Sequence, residues 1–490
     1  MTAQTLSLTD IVKAYDVRGL VGTQFDAGVA WALGAAFAEE VSGDTVASGG
    51  AVTRITIGYD MRPSSPELSA AFARGAASRG LDVVLIGLCS TDGLYYASGS
   101  LDAPGAMFTA SHNPAAYNGI KMCRAGARPI GQDTGLARIR DRAQALLDAK
   151  AEQSEKLPGA VGTVTEQDLL RGYADHLRGL VDLSGVRPLR VVVDAGNGMA
   201  GLTTPAVLGT AAGLPALPID VVPLYFELDG TFPNHEANPL EPANLRDLQA
   251  RVVAEGADLG LAFDGDADRC FVVDERGGPV DPSAVTALVA RREIGKETAA
   301  GRHATVIHNL ISSRAVAEVV LEAGGTPVVT RVGHSFIKAE MAKHGAVFGG
   351  EHSAHYYFRD FWFADTVMLA ALHVLAALGA QERPLSEFVA EYRRYPASGE
   401  INSRVADVAA ATARVEAAFG GRPGVEVGRM DGLSVVHAGT PGASGDAGMW
   451  WFNLRPSNTE PLLRLNAEAH DEATMAAVRD EVLALVRHPA

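Results

Sequence analysis

The stretch that decides the fold reads Leu259-Gly-Leu-Ala-Phe-Asp-Gly-Asp-Ala-Asp268. It begins with a short run of apolar and small residues, and such a run bounded by polar residues predicts a buried β-strand. Three carboxylates follow at alternate positions as soon as the run ends. Ligands of open α/β sheets gather at the carboxyl ends of strands, so this stretch predicts a sheet with a polar site at its edge.

The same plan of an apolar strand ending in a polar loop recurs along the chain. Residues 105–109 lead into Ala110-Ser-His-Asn-Pro114, and residues 347–350 lead into Glu351-His-Ser-Ala-His355. Strands alternate with helices before each loop, which indicates parallel α/β layers. An α/β chain that only looks repetitive is the alternative to a true repeat. The predicted strands are residues 54–58, 81–88, 189–193, 305–308 and 327–330, and the predicted helices are residues 66–79 and 313–323. We therefore predict three topologically similar domains whose loops face one shared cleft.

Polar stretches and stretches rich in Gly or Pro separate the copies. Residues 149–162 are polar and contain Pro158, Gly277-Gly-Pro279 marks a second boundary, and residues 383–398 close the third copy. The remainder has two strand-like runs and a final helix near residues 472–487, which is typical of a small α+β domain. We predict α/β domains with mixed sheets, followed by a C-terminal α+β domain, at residues 1–158, 159–278, 279–395 and 396–490.

Composition and charge exclude several functional classes. The chain has 490 residues, of which 47% are apolar and 20% charged, and its formal net charge is −16. The basic stripe or arm of nucleic-acid-binding proteins is missing, so no nucleic acid is expected as a partner. The longest apolar stretch, residues 367–380, is shorter than the roughly 20 residues that a membrane-spanning helix needs. It predicts a buried helix and no membrane association.

The cysteines and the N-terminal sequence favour a cytoplasmic protein. Cys89, Cys123 and Cys270 are odd in number and widely spaced, which is typical of neither a disulfide framework nor a zinc site. Reduced, buried thiols are the ordinary state of such cysteines in the cytosol. The first residues also lack the basic start and apolar core of a signal peptide.

The loop after residues 105–109 contains a candidate nucleophile. Ser111 is flanked by His112 and Asn113, and Lys121 follows a few residues on. A serine in this place can carry a phosphoryl group, and a nearby lysine can neutralise charge, or transfer protons if its pKa is lowered. An isolated serine is usually a turn or helix-cap residue. The interpretation of Ser111 therefore depends on the other loops.

The three carboxylates Asp264, Asp266 and Asp268 share one side of the chain if the backbone there is extended. They would repel one another unless a cation lay between them, and hard oxygen ligands favour Mg²⁺ or Ca²⁺. Glu275 falls at the twelfth position of an EF-hand loop, but Arg269 occupies the sixth, where an EF-hand needs Gly. The EF-hand is therefore rejected, and a solvated acidic turn is the remaining alternative.

Two later loops suit a phosphorylated sugar. Glu351, Ser353 and His355 alternate and offer a carboxylate, a hydroxyl and an imidazole to a polyhydroxyl ligand, with a metal site as the alternative. The segment Arg455-Pro-Ser-Asn-Thr-Glu-Pro461, with Arg464 close behind, offers groups that hold phosphate by charge-assisted hydrogen bonds. A helix capping box is the alternative for this segment. The residues after it read as a strand, which favours phosphate.

Three further candidates have ordinary surface interpretations when each is taken alone. Tyr15 and Arg18 precede the first predicted strand, in the sequence Tyr15-Asp-Val-Arg18-Gly19. His334 follows the strand predicted at residues 327–330, close to Arg331. These residues gain meaning only through the loops with which they are combined.

Taken together, the loops resemble those of the α-D-phosphohexomutase family, in its phosphomannomutase/phosphoglucomutase branch. The resemblance covers the whole chain, and the motifs stand in the family's order: Thr109-Ala-Ser-His-Asn-Pro114, Asp264-Gly-Asp-Ala-Asp-Arg269, Gly350-Glu-His-Ser-Ala-His355 and Arg455-Pro-Ser-Asn-Thr-Glu-Pro461. It implies a heart-shaped enzyme of four domains around a central cleft. This enzyme would be an isomerase that interconverts hexose 6-phosphate and hexose 1-phosphate and feeds nucleotide-sugar and polysaccharide synthesis.

The resemblance also implies a role for each loop. Ser111 would be the phosphoserine and, together with Asp264, Asp266 and Asp268, would bind Mg²⁺. The implied catalytic residues are Ser111, Arg18, His112, Lys121, Arg269 and His334. The implied substrate-binding residues are Tyr15, Glu351, Ser353, His355, Arg455, Ser457, Asn458, Thr459 and Arg464. Small hexose phosphates would be the substrates, and hexose 1,6-bisphosphate would be the intermediate and activator.

One residue departs from the family's pattern. Ala354 stands where the sugar loop usually has Gly, and it would strain the backbone if that position needs a positive φ. Asn458 fits the mannose/glucose branch better than the glucosamine branch. We predict a phosphomannomutase/phosphoglucomutase with mannose favoured; mainly phosphoglucomutase activity, and then phosphoglucosamine mutase activity, are the alternatives.

Two other classes of protein and the oligomeric state are also considered. An aspartyl phosphatase would use Asp264 as its nucleophile, but such enzymes have Thr or Val where this chain has Asp268. An inactive sugar-phosphate-binding regulator is opposed by the intact Ser111 and Lys121. A monomer or a homodimer is expected.

Overall fold

A computed structural model describes residues 7–150, 161–439, 448–456 and 462–488 of the protein. Contacts between these residues divide the chain into two compact units. The first unit contains the described residues up to Val280 together with Ser353–Phe388. The second unit contains Asp281–His352 and the described residues from Val389 onward.

The first unit begins with a mixed seven-stranded sheet. Its strands are β1 (Val17–Leu20), β2 (Arg54–Tyr59), β3 (Asp82–Leu88), β4 (Gly105–Phe108), β5 (Tyr117–Arg124), β6 (Arg128–Pro129) and β7 (Val164–Glu166). The helices of this part are α1 (Ala27–Val41), α2 (Ser65–Ala77), α3 (Thr91–Ser100) and α4 (Leu136–Asp148). The strand order is β1-β5-β4-β2-β3-β7, with β6 paired to β5. Strands β4, β2, β3 and β7 are parallel, whereas β5 is antiparallel to its neighbours.

Helices α1 and α2 pack closely because glycines lie where they cross. A Cβ atom added at Gly34 would lie 2.1 Å from the carbonyl oxygen of Phe72, and one at Gly75 would lie 2.0 Å from that of Trp31. No larger residue fits at either contact. The ring of Phe72 in turn contacts that of Phe108 at the end of β4, with 5.5 Å between their centroids. This core therefore supports the loop that follows β4.

A second mixed sheet follows in the same unit. Its strands are β8 (Leu189–Asp194), β9 (Ile219–Leu224), β10 (Leu259–Phe263), β11 (Cys270–Asp274) and β12 (Pro279–Val280). Its helices are α5 (Leu170–Leu180), α6 (Ala200–Val207) and α7 (Arg246–Glu255). The order is β12-β11-β10-β8-β9, with β8, β9 and β10 parallel and β11 antiparallel to β10. Strand β10 is buried along its whole length, as its apolar sequence predicts.

The second unit contains a parallel set of strands, and the chain then returns to the first unit. The parallel strands are β13 (Thr305–Asn309), β14 (Thr326–Thr330) and β15 (Phe348–Gly350), and the helices around them are α8 (Pro282–Ala299), α9 (Arg314–Glu322) and α10 (His334–His344). The returning segment forms β16 (Tyr356–Phe358), β17 (Ala364–Asp365), α11 (Val367–Gly379) and α12 (Leu385–Phe388). Every residue of α11 is buried, which confirms the predicted buried helix. No helix in the described ranges has the length and apolar character needed to cross a membrane.

The parallel strands have equivalent orders in all three copies. These orders are β3-β2-β4, β9-β8-β10 and β14-β13-β15, and the strand that comes first in sequence lies in the middle each time. The polar loops follow β4, β10 and β15, which occupy the same place in the three copies. The prediction of three topologically similar α/β domains is thus confirmed.

The C-terminal part of the second unit is an antiparallel sheet with helices. Its strands are β18 (Ile401–Arg404), β19 (Val425–Gly428), β20 (Leu433–His437), β21 (Trp450–Pro456) and β22 (Leu462–Ala469), and its helices are α13 (Val408–Phe419) and α14 (Glu472–Val486). The strand order is β18-β22-β21-β20-β19. The α+β class is confirmed, but the prediction of only two strand-like runs was wrong. Strands β18 and β19 have only four residues each and bury few side chains, so their apolar signal is too short to identify a strand.

Candidate active site

Two loops of the first unit meet at Ser111. The Ser111 hydroxyl, in the loop after β4, donates a hydrogen bond of 2.7 Å to Oδ2 of Asp264, in the loop after β10. The backbones are equally close, since a Cβ atom added at Gly265 would lie 2.5 Å from the carbonyl oxygen of Ser111. Both Ser111 and Asp264 are fully buried. The structure thus brings together the predicted nucleophile and the first predicted metal ligand.

Ser111 has an unusual backbone conformation, and a buried arginine fixes the loop around it. Its φ is 48°, in the left-handed region that non-glycine residues seldom adopt. Arg62 donates hydrogen bonds to the carbonyl oxygens of Ser111 at 2.8 Å and Asn113 at 2.7 Å, and to two carbonyls further along the loop at 2.9 Å each. Its charge is balanced by Asp60, 3.2 Å away. Arg62 therefore acts as a brace for the reactive loop.

Sequence reasoning missed Arg62 entirely. Its ligands are backbone carbonyls, which leave no pattern of side chains in the sequence. The available signal is a charged pair, Asp60 and Arg62, directly after the buried strand β2, because charged groups are seldom fully buried without a purpose.

The three aspartates form a group suited to a cation. One oxygen from each of Asp264, Asp266 and Asp268 lies within 4.8 Å of the others, and all three residues are buried. Oδ1 of Asp266 and Oδ1 of Asp268 have no hydrogen-bond partner among the described residues, although a buried carboxylate oxygen normally has one. The donor set and its unpartnered oxygens fit a hard divalent cation.

The aspartates converge for a different reason from the one predicted. The segment is a turn and not an extended strand: Ala267 has a φ of 57°, and Oδ1 of Asp264 accepts hydrogen bonds from the backbone N–H groups of Asp268 and Arg269. The argument from alternation was therefore wrong, although its conclusion that the carboxylates lie together is correct. Hydrogen bonds within the turn hold them together.

Lys121 lies between two of the aspartates. Its ammonium donates to Oδ2 of Asp266 at 2.6 Å and also to Oδ2 of Asp268. Burial alone would lower the pKa of Lys121, but the two carboxylates raise it above its ordinary value. Lys121 is therefore charged in this state and neutralises the aspartates.

His112 lies on the other side of the Ser111 hydroxyl. Its Nδ1 is 3.3 Å from Oγ of Ser111 and also contacts Arg269. Burial, together with the positive charges of Arg269 and Arg18, lowers the pKa of His112 to about 2. His112 is thus neutral near pH 7. Arg18 reaches the same loop through a 3.0 Å hydrogen bond to the carbonyl oxygen of Ala110.

The predicted sugar loop contributes residues to both units. In the first unit, Ser353 Oγ lies 3.0 Å from Nδ1 of His355, whose Nε2 lies 3.6 Å from Oδ1 of Asp268. Ala354 has a φ of 63°, so the segment is not extended, and alanine is indeed strained here. In the second unit, Glu351 accepts a 3.0 Å hydrogen bond from the N–H of Gly333.

The remaining predicted residues are placed as follows. His334 begins α10 in the second unit, directly after Gly333. Arg455 and Arg464 face each other on the paired strands β21 and β22 of the second unit. Tyr15 lies partly buried just before β1 in the first unit. Ser457, Asn458 and Thr459 lie outside the described residues.

Thr91 is a second residue that sequence reasoning missed. It begins α3, where its hydroxyl donates a 2.6 Å hydrogen bond to Oδ2 of Asp266 and its N–H donates to the carbonyl oxygen of the same residue. The next residue, Asp92, is buried and accepts hydrogen bonds from the hydroxyls of Tyr173 and Thr366. Burial raises the pKa of Asp92 to about 6. A buried polar network therefore supports the aspartate turn.

Family models match four successive regions of the chain. They describe phosphoglucomutase/phosphomannomutase alpha/beta/alpha domains I, II and III, at residues 9–149, 171–278 and 281–395, and the C-terminal domain at residues 400–485. Together with the repeated α/β layers and the serine–aspartate contact, these matches define an isomerase of the phosphohexomutase class.

Individual relatives agree with the family models. The chain is 39% identical to a phosphomannomutase of Salmonella typhimurium, covering 96% of this chain and 97% of that one, and 40% identical to the phosphohexose mutases of Xanthomonas campestris over the same shares. A solved structure of a phosphoglucomutase/phosphomannomutase family protein from Burkholderia thailandensis matches with a TM-score of 0.82 and 31% identity, covering 99% of each chain. The chain belongs to the phosphoglucomutase/phosphomannomutase family.

Proposed function

We propose that the chain is a phosphomannomutase/phosphoglucomutase that interconverts hexose 6-phosphate and hexose 1-phosphate, with mannose favoured. The observation that supports this most directly is the 2.7 Å hydrogen bond from the Ser111 hydroxyl to Asp264, inside a buried group of carboxylates. A serine in that position is held against the place where a cation would be bound. The names of the relatives support the sugar class.

The chemistry proceeds through phosphorylated Ser111. The free hydroxyl of the sugar attacks the phosphorus, a new P–O bond forms, and the bond between phosphorus and Oγ of Ser111 breaks. The sugar becomes a hexose 1,6-bisphosphate, which reorients and returns its other phosphoryl group to Ser111 by the reverse step. No phosphate is lost, so the net reaction moves the phosphoryl group between C1 and C6.

The residues around Ser111 divide the work of this step. His112 lies 3.3 Å from Oγ, and this position supports its assignment to the transfer of the proton that leaves the sugar hydroxyl and ends on Ser111. Arg18, Arg269 and Lys121 place positive charge around the transferred group. Asp264, Asp266 and Asp268, with the Ser111 phosphate, would hold Mg²⁺. When bound, Mg²⁺ supplies Lewis-acid polarisation of phosphoryl oxygens.

The remaining residues would read and hold the sugar phosphate. We assign Glu351, Ser353 and His355 to the sugar hydroxyls, and Arg455 and Arg464, with Ser457, Asn458 and Thr459, to the phosphate that is not reacting. Tyr15 and His334 complete the proposed substrate contacts. The cysteines are buried and form no disulfide among the described residues, which supports a reducing, cytoplasmic location. A monomer or homodimer stays a prediction.

Substitution of the serine tests the proposal. Ser111→Ala should lower mutase turnover at least a thousandfold, because the phosphoryl group then has no carrier. Ser78→Ala, at the end of α2, is the matched control and should leave turnover unchanged. Turnover near the wild-type value in Ser111→Ala would end the proposal.

Mass spectrometry and kinetics then separate the alternatives. Wild-type enzyme primed with glucose 1,6-bisphosphate should carry phosphate on Ser111, whereas phosphate on Asp264 would identify an aspartyl phosphatase. Comparison of kcat/KM for mannose 1-phosphate and glucose 1-phosphate tests the preference for mannose.

A further inference from the structure

A glutamate joins the two arginines that we assign to the substrate phosphate. Oε2 of Glu400 lies 2.8 Å from Nη2 of Arg455, and Oε1 lies 3.4 Å from Nη1 of Arg464. One carboxylate thus offers a separate oxygen to each guanidinium, as a phosphate would. All three residues belong to the second unit.

The two arginines form an unfavourable pair without this carboxylate. Arg455 and Arg464 are directly opposite each other on the antiparallel strands β21 and β22, and like charges in that position repel. Their side chains are 12% and 32% exposed, and Nε of each is buried with no partner among the described residues. The pair therefore retains hydrogen-bond donors for a further anion.

The pairing of strands in the sheet places Glu400 beside the two arginines. The residue directly precedes β18, which pairs with β22 so that Ile401 is opposite Leu465. On the other side of Glu400, the N–H of Ser398 donates a 2.8 Å hydrogen bond to the carbonyl oxygen of Ala467 in β22. The backbone on both sides of Glu400 is thus anchored to the strand that carries Arg464.

We propose that Glu400 is a positioning residue that occupies the phosphate-binding arginines in the unliganded enzyme and competes with the substrate phosphate for them. This inference rests on the proposed function, in which Arg455 and Arg464 hold the non-reacting phosphate. With Glu400 the group of three side chains has a net charge of +1, and without its charge the net charge is +2. Glu400 therefore weakens the grip on a phosphate dianion.

Weaker binding of the phosphate is an advantage in a mutase reaction. The bisphosphate intermediate must leave the arginines and bind again through its other phosphate in every turnover, so binding that is too tight would slow the reaction. A carboxylate that returns to the arginines as the phosphate leaves stabilises the released state. Glu400 thus lowers the affinity for the phosphate and raises kcat. Removal of its charge should therefore tighten binding and lower kcat.

The experiment measures binding and turnover separately for Glu400→Gln, which keeps the size of the side chain and removes its charge. Binding of glucose 6-phosphate is measured by calorimetry in a Ser111→Ala background, where no phosphoryl transfer interferes. We expect binding to tighten about two- to fivefold, since partly exposed ion pairs contribute up to about 1 kcal/mol. In the Ser111 enzyme, kcat should fall and KM should fall with it.

Two further variants make the result interpretable. Glu481→Gln removes a glutamate that pairs with Arg422 on the same domain and should change neither quantity. Arg455→Gln should weaken glucose 6-phosphate binding. If it does not, the assignment of Arg455 to the phosphate fails, and with it that part of the proposed function. If Arg455→Gln weakens binding but Glu400→Gln leaves it unchanged or also weakens it, only the inference about Glu400 is overturned.

Discussion

The serine–aspartate site of the first unit and the arginine pair of the second unit are built in opposite ways. Ser111 and the three aspartates are buried, and each is held by hydrogen bonds from several elements. Arg455 and Arg464 are partly exposed and are joined by one carboxylate. The first arrangement is set before substrate arrives, whereas the second can exchange one anion for another.

This difference matches the demands of the proposed reaction. Phosphoryl transfer depends on charges that are already in position when the transition state forms. A reorienting bisphosphate needs contacts that form and break in each cycle. Substitutions in the serine–aspartate site should therefore act mainly on kcat, and those at the arginine pair mainly on binding.

The largest effect is expected at the aspartate turn. Asp266→Asn removes a charge that accepts hydrogen bonds from Lys121 and Thr91, and it should lower kcat about a thousandfold, because cation-assisted charge stabilisation contributes several kcal/mol. Titration of the variant with Mn²⁺, followed by electron paramagnetic resonance, should show weaker binding in the absence of substrate. Asp229→Asn, in an exposed turn of the same unit, is the control. Unchanged Mn²⁺ affinity would contradict the metal assignment.

A smaller effect is expected at Arg62, which holds the backbone of the Ser111 loop. Arg62→Lys keeps the charge but cannot reach several carbonyls at once, and displacement of the serine by about 1 Å costs roughly a hundredfold in rate. We expect kcat to fall about ten- to a hundredfold with KM nearly unchanged, and priming with glucose 1,6-bisphosphate should phosphorylate Ser111 more slowly. A change in KM without a change in kcat would contradict the expectation that the serine–aspartate site acts mainly on kcat.

The control for this variant is another arginine that binds backbone carbonyls. Arg178 donates a 2.8 Å hydrogen bond to the carbonyl oxygen of Val207 and binds two further carbonyls far from Ser111 in sequence. Arg178→Lys should lower the thermal midpoint without changing kcat at 25 °C. Comparison at equal folded fraction separates loss of positioning from loss of stability.

The last expected effect concerns stability and its dependence on pH, not turnover. The pKa of Asp92 is about 6 in the folded protein, above its ordinary value of 3.8. Between these values the folded state holds a proton that the unfolded state has lost, so this carboxyl lowers stability as pH rises from 4 to 6. Asp92→Asn should remove about 3 kcal/mol of that loss. Thermal midpoints of the variant and the wild type, measured at pH 4 and pH 7, check the sign.

The repeated fold was predictable because its signal is local. Strand β10 was predicted to the residue, since the run Leu259–Phe263 is apolar and ends in a charged turn. Residues 54–58 and 105–109 gave β2 and β4 within one residue for the same reason. The tail domain was predicted poorly, because β19 has only four residues and is mostly solvent-exposed, so its apolar signal is too short to identify a strand.

The site was predictable only where side chains carry the chemistry. The motifs indicated Ser111, Lys121 and the aspartates, and the structure brings them together. Arg62 and Thr91 were missed because they act on backbone atoms or through a partner distant in sequence. The turn at Ala267 was mistaken for extended chain because alternation in sequence does not specify backbone dihedral angles.

The close approach of Gly265 to Ser111 limits how the enzyme can be redesigned. The spacing between the two loops is fixed by main-chain atoms, which tolerate no added carbon at residue 265. Sugar specificity is proposed to lie elsewhere, at Ser353 and His355, whose side chains can be varied without touching that spacing. A library aimed at new hexoses should therefore randomise the sugar loop and keep Gly265 constant, so that every member retains the spacing between the serine loop and the aspartate turn.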